Sequence, residues 1–328
     1  MHTLIHQALL PIAALLPLLG SPAAQAQAQA PTAAWPTKPM RIIVPYPAGG
    51  NSDAIGRFIA DKLGAALGQP IVVENKGGAG ATIGADAAAR APGDGYTLLV
   101  APTAVFAITP HLRRVPYDPF ADFIPMAQLT GSYSIATARK HAPFNSLADL
   151  AKAAGKAPGK YTFGSAGLAT ATHLAGEMVN YKAGINMLHV PYKGSAEALS
   201  DLMGGRIDMI YDPVSLTQVK NGTVKAIAVM SKTRHPELPD VPTAREQGYD
   251  IDTRSWFGLF APKGTPKAIV ERTTAEVDKI LKMPETRSLL LKMSQYPDYV
   301  GPAAFAAQIK DDSAFFKDLI KRANIRAE

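Results

Sequence analysis

Short apolar runs alternate with amphipathic stretches along the chain from residue 40 onward. The run "MRIIVPYP" reads as a strand, and residues 52–67, with apolar positions at helical spacing, read as a helix. "QPIVVENK" is the next strand, "GGAGATIGADAAARA" a glycine-rich turn into a helix, and "GYTLLVAPT" a third strand. Each strand is nearly continuous in apolar residues, as expected when helices cover both faces. A β-α-β-α-β order implies parallel strands joined by right-handed crossovers. From about residue 123, "FIPMAQLTGSYSIATAR" is an extended segment leading elsewhere.

A second α/β series follows. "SLADLAKAAGK" is a helix with Ser146 at its N-cap and Asp149 in its first turn. "KYTFGSAG", "NMLHVPYKG", "IDMIYDP" and "VKAIAVMS" read as strands, with "TATHLAGEMVNYKAG" and "SAEALSDLMGGR" as helices. After "SWFGLFAPKGTP" the chain turns to helices ("PKAIVERTTAEVDKILK", "PETRSLLLKM" and "PAAFAAQIKDDSAFFKDLIKRAN") that would complete and cover the first unit. The reading is an α/β protein of two lobes, 36–135 plus 254–328 and 136–253, each a mostly parallel sheet flanked by helices. Crossing segments near 135 and 253 would leave a ligand cleft between the lobes. In open α/β sheets, ligands sit beyond the carboxyl ends of the strands.

Composition narrows the function. A chain of 328 residues exceeds what one ordinary core organises. Its 34 basic and 27 acidic residues leave a net charge of +7, spread without any Lys/Arg block, which argues against nucleic acid as a partner. There is no cysteine, so disulfides, thiolate chemistry and a lipoprotein anchor are excluded. His111, His141, His173, His189 and His235 show no metal-ligand spacing, so neither a metal nor another cofactor is expected.

Residues 1–30 read as a secretory signal peptide. "ALLPIAALLPLLG" is a short apolar run, and "SPAAQAQAQA" offers small-residue cleavage sites near Ala26, Ala28 or Ala30. Residues 2–7 carry no Lys or Arg, which departs from the usual leader. No later stretch is long and apolar enough to span a membrane. The product is expected to be soluble and exported, or periplasmic in a Gram-negative bacterium.

Three small-residue turns carry the chemistry: "YPAGGNSD", "NKGGAGATIG" and "FGSAGLATATH". Each lets a ligand approach backbone N–H groups at a helix N-terminus, where orphan donors and the helix dipole favour an anion. The chemistry implied is capture of a small carboxylate without an arginine. Asn51 or Ser52 is the candidate cap of the first helix. Asp53 sits in its first turn and could receive an amino or hydroxyl group of a ligand. In the second lobe Ser165 offers a hydroxyl, His173 a partner for the turn, and Asp212 a carboxylate at a strand end. Thr103 and Tyr192, at the ends of their strands, are further candidates.

Two competing motifs fail on spacing. Gly78 and Gly80 fit a dinucleotide fingerprint, but Gly84 comes one place too late. "FGSAG" is not a nucleophile elbow, because Phe163 stands where G-x-S-x-G requires glycine. An exported hydrolase using Ser165, His173 and Asp212 remains the alternative class.

The stretches "VPYPAGGNSDAIGR", "ENKGGAGATIGADAAARAPGDGYTLL", "FGSAGLATATHLAGE", "HVPYKGSAEALSDLMGGRIDM" and "GLFAPKGTP" together resemble the Bug receptors. These are the extracytoplasmic solute receptors of tripartite tricarboxylate transporters. The resemblance runs over residues 36–325 in the family's motif order. It implies a type II periplasmic-binding-protein fold, no catalysis, a monomer, and delivery of a small, usually carboxylated solute to membrane permease subunits. It implies a ligand held mainly by backbone groups and ordered waters. Carried over, the site comprises Tyr46, Pro47, Ala48, Gly49, Gly50 and Asn51 on one side. Ser165, Ala166, Gly167, Ala169, Thr170 and His173 form the other. A binding protein that signals through a sensor kinase fits the same resemblance.

Overall fold

A computed structural model describes residues 35–325. The leader read from residues 1–30 lies outside the described residues. The first sheet has six strands in the order β11 (Gln295–Val300), β4 (Phe123–Ser132), β10 (Trp256–Pro262), β3 (Thr97–Pro102), β1 (Met40–Val44), β2 (Ile71–Asn75). The second has five: β7 (Leu188–Pro191), β6 (Thr162–Ser165), β8 (Met209–Tyr211), β5 (Ile135–Arg139), β9 (Val224–Val229).

Only part of each sheet is parallel. Strand β1 pairs in parallel with β2 and β3, aligning Ile42 with Val73 and with Leu98. Strand β6 does the same with β7 and β8. The ladders β10–β3, β10–β4 and β11–β4 are antiparallel, as are β5–β8 and β5–β9. Both sheets are therefore mixed, correcting the expectation of mostly parallel ones. The reason is the double crossing. Chain that leaves one lobe through β4 and returns through β10 enters each sheet from opposite ends.

The apolar runs bury as their composition demands. Ile42, Ile43 and Val44 of β1 and Leu98, Leu99 and Val100 of β3 are fully buried. Helix α1 (Asn51–Leu67) presents Ile55, Phe58, Ile59 and Leu63 to the first sheet. Helix α8 (Lys267–Leu281) covers the same core with Ile269, Val270, Val277 and Ile280. In the second lobe α4 (Leu147–Lys156) is capped as read, with Ser146 Oγ accepting from Asp149 N–H at 3.0 Å. Helix α5 (Ala171–Ala183) packs Leu174, Ala175, Met178 and Val179 on the second sheet.

Strand β11 and helix α10 depart from the reading in ways that bear on the lobes. Strand β11 was not anticipated, because "QYPDYV" has a central proline and weak alternation; its Tyr296 pairs with Gly131 at the sheet edge. Helix α10 (Pro302–Arg322) was expected to cover the first lobe alone. Its Phe305 and Ile309 do join the first lobe's aromatic cluster. Its Phe316, Leu319 and Ile320 instead pack into the core of the second. The helix, at 21 residues, is long enough to serve both.

Gly176 shows how closely α5 approaches β6. A Cβ there would lie 2.1 Å from the ring of Phe163, which is fully buried. Gly176→Ala should lower stability by about 1–3 kcal/mol through overpacking, despite alanine's better helix propensity. Gly155→Ala, in α4 with nothing within 4 Å, should instead raise it by up to about 1 kcal/mol. Urea unfolding of both variants checks the pair; equal signs would count against this packing.

Candidate ligand-binding site

A cleft of about 460 Å³ lies between the lobes. Tyr46, Asn51, Gly80, Pro102 and Phe257 line it from the first lobe, with Ser132 and Gln295. Leu168 to Thr172, Ser195, Tyr211 and Asp212 line it from the second. Ser134, Thr253 and Ser255, at the chain crossings, also reach it. The wall is mostly apolar, with hydroxyls spaced along it.

The first turn works differently from its reading. Gly50 is the N-cap of α1 and makes no side-chain cap bond, so neither Asn51 nor Ser52 plays that part. Asn51 Nδ2 donates to the Met293 carbonyl at 3.3 Å. Asp53 is buried and holds the loop: it accepts from Gly49 N–H at 2.9 Å, Arg57 Nε at 3.0 Å and Asn75 Nδ2 at 3.0 Å. Arg57 and these N–H donors keep its carboxyl below the usual range. Asp53 is therefore a positioning residue outside the cleft wall, and it occupies the Gly49 N–H that a ligand was expected to use. Tyr46 and Asn51 line the cleft, whereas Pro47, Ala48, Gly49 and Gly50 are exposed and outside its lining. A side chain at Gly49 or Gly50 would meet nothing within 4 Å. No neighbouring protein atom requires glycine at either position; at Gly49 the backbone does, with φ +91°, which only glycine adopts freely. Burial pushes the Tyr46 phenol up to about 12, so it stays a neutral donor and acceptor.

The opposing turn is tightly self-bonded. Ser165 is buried, and its Oγ touches the Gly167 carbonyl at 3.0 Å, Gly167 N–H at 3.1 Å and His189 Nε2 at 2.6 Å. Ala166 N–H is taken by Thr172 Oγ1 at 2.9 Å, and Gly167 turns with φ +132°. His173 is buried, and its Nδ1 accepts from Ala169 N–H at 3.0 Å. His189 stacks on it with centroids 3.7 Å apart, and burial beside His173 drives His189 down to about 4. Ser165, Ala166, Gly167 and His173 therefore shape the turn from behind the cleft wall, while Ala169 and Thr170 line it. Thr170 caps α5. Among the described residues, the N–H groups of Ala171 and Thr172 beyond it have no acceptor.

Two further candidates lie elsewhere. Thr103 is buried at the crossing, its Oγ1 bound to the Arg254 carbonyl at 3.0 Å and to Trp256 N–H at 2.9 Å. Tyr192 donates to Asp201 at 2.8 Å, away from the cleft. Asp212 does line the cleft. It accepts from Ser195 Oγ at 2.5 Å and from Val214 N–H at 2.9 Å, and burial raises its carboxyl. The hydrolytic triad is not assembled: Ser165 faces His189, His173 faces the backbone, and Asp212 faces Ser195. The sequence reading missed Arg113, Ser195, Tyr211 and the crossing serines in the cleft. Ser195 carried a usable signal, since "KGSAEA" places small residues at another helix N-terminus.

Two α/β lobes around a cleft, crossed twice by the chain, define a bilobal solute-binding protein. Residues 55–325 match the family described as "TctC: Tripartite tricarboxylate transporter family receptor", and the chain belongs to it. A curated relative from Pseudomonas sp. (strain P51), a "UPF0065 protein in tcbD-tcbE intergenic region", is 38% identical over 301 residues, covering 90% of this chain and 89% of its own. A TctC solute binding protein from Polaromonas, solved without ligand, superposes with TM-score 0.80 at 33% identity, covering 88% of this chain and 99% of the other. An R. palustris protein solved with adipate gives TM-score 0.74 at 31% identity, covering 89% and 99%. The chain is accordingly a solute receptor and not an enzyme.

The raised Asp212 carboxyl has a stability consequence. Its folded value lies above its unfolded value, so the native state holds the proton more tightly. Stability then falls as pH rises through the window between the two values. The wild type should gain stability relative to Asp212→Asn as pH is lowered from 7 to 4, read from urea midpoints at both values. The opposite sign would show that Asp212 is charged in the native state throughout.

Proposed function

We propose that this chain is a periplasmic receptor that captures a small carboxylate in the interlobe cleft, acts as a monomer, and delivers its cargo to the permease subunits of a tripartite tricarboxylate transporter. One observation carries the choice of cargo. The first turn of α5 brings the unaccepted N–H groups of Ala171 and Thr172 to the cleft wall, at the positive end of a 13-residue helix. Thr170 Oγ1 and Ser195 Oγ stand in the same wall and are tied to protein acceptors. The relative solved with adipate supports the same chemistry. The leader read from residues 1–30 supports export. Tyr46 and Asn51 are assigned to the ligand from the first lobe, and Ala169 and Thr170 from the second; Asp212 lines the same cleft and, when ionised, disfavours a carboxylate beside it.

Ala171 is the first residue of its helix, a place where proline is tolerated but removes the N–H. Thr170 is extended at φ −77°, ψ 164°, compatible with a following proline. Ala171→Pro should therefore fold and lose one charge-assisted hydrogen bond of about 1.5–3 kcal/mol, weakening binding roughly ten- to a hundredfold. Ala171→Ser keeps the donor and should bind normally. Calorimetry with adipate checks both, and a folded Ala171→Pro variant of unchanged affinity would remove this helix from the site.

Closure of the lobes is the second expectation. Carboxylate at a hundredfold excess over its dissociation constant should stabilise the fold by about 2.7 kcal/mol. Solution scattering should show a smaller radius of gyration at the same excess. Tight binding with an unchanged radius would exclude a clamshell.

A further inference from the structure

Among the described residues that line the cleft, Arg113 is the one cation and Asp212 the one anion. Arginines elsewhere are mostly neutralised: Arg57 by Asp53, Arg139 by Asp208, Arg254 by Asp311 and Asp312. Among the described residues Arg113 has no ion pair, and its guanidinium makes no hydrogen bond; only its backbone N–H is used, by the Thr109 carbonyl at 3.1 Å. The guanidinium lies against Gly80, where a Cβ would sit 3.5 Å from both its Cζ and its Nη1. Gly80 turns with φ +66° and itself lines the cleft. It belongs to the turn after β2 in the first sheet, whereas Ala171 follows β6 in the second.

The cleft thus offers two unsatisfied anion-attracting features on different walls: a helix N-terminus and an arginine fork. A guanidinium matches a carboxylate with two parallel hydrogen bonds, a geometry a neutral end group does not reproduce. Asp212 adds a direction, because its carboxylate is already occupied by Ser195 and Val214 and repels any further anion in its ionised form. We infer that Arg113 takes the second carboxylate of the cargo, so that the cleft selects dicarboxylates over monocarboxylates of the same length. This rests on the carboxylate reading above.

The test is calorimetry on the purified exported protein with matched acids: succinate against butyrate, and adipate against hexanoate. Arg113→Gln is the variant, and Arg114→Gln is its neighbouring control. Circular dichroism confirms that each is folded. Wild type and Arg114→Gln should prefer the better-fitting diacid over its monoacid roughly ten- to a hundredfold. Arg113→Gln should bring that ratio to near one while leaving monoacid affinity unchanged. Equal loss for diacid and monoacid would place Arg113 on the first carboxylate and overturn the inference. An unchanged ratio would overturn it as well, and tighter diacid binding in Arg113→Gln would make the arginine a partner of Asp212 instead. Wild type that binds none of the four acids would overturn the carboxylate reading itself, and this inference with it.

Discussion

The two chain crossings run side by side, and the cleft depends on their pairing. Ser132 N–H donates to the Ser255 carbonyl at 3.0 Å, and the Thr103 hydroxyl clamps the backbone on either side of Ser255. Arg254 sits there with φ +49°, a conformation non-glycine residues adopt at a cost. Its guanidinium is held by Asp311 at 2.6 Å and Asp312 at 3.0 Å, and Asp312 also accepts from Trp256 Nε1 at 2.8 Å. Burial raises the Asp312 carboxyl, opposed by these donors. The strained crossing is thus fastened to α10, whose two ends pack in the cores of different lobes. The seam sets how the lobes face each other, and it supplies Ser132, Thr253 and Ser255 to the cleft floor.

Around that seam the protein separates holding a turn from presenting it. Asp53 binds the loop before α1 from behind, using Gly49 N–H, Arg57 and Asn75. Ser165, His173 and His189 do the same for the loop before α5. In both places polar side chains are spent in holding the turn, and the turns offer Tyr46, Asn51 and Leu168 to Thr172 to the cleft. An anion arriving there exchanges water for fixed dipoles that need no reorganisation. A lone helix end distinguishes poorly between one carboxylate and two, which is the gap a single placed arginine fills.

The α/β alternation, the two units and the three glycine-rich turns were legible in the sequence, because each is written in local periodicity and in residues with special backbone freedom. Ser146 as a cap and the failed nucleophile elbow were legible for the same reason. The roles of Ser165, His173, Asp53 and Thr103 were not. All four stand at strand or helix ends where a side chain can point toward the cleft or back into the turn, and adjacent positions differ only in that direction. Arg113 was invisible for a different reason: one exposed arginine among 34 basic residues carries no signal until its lack of a partner is seen.

By itself the sequence determined most of the strands and the long helices, though not β11, together with the family's motif order and the small residues that open the turns. These follow from interactions within a few residues, where propensity, capping and glycine's freedom act. The tertiary structure alone decided that both sheets are mixed, that α10 serves both lobes, and which side chains reach the cleft. Those outcomes rest on contacts between residues far apart in the chain. The Thr103 hydroxyl meets Arg254 and Trp256, and Asn51 reaches Met293, only after two crossings have brought them together.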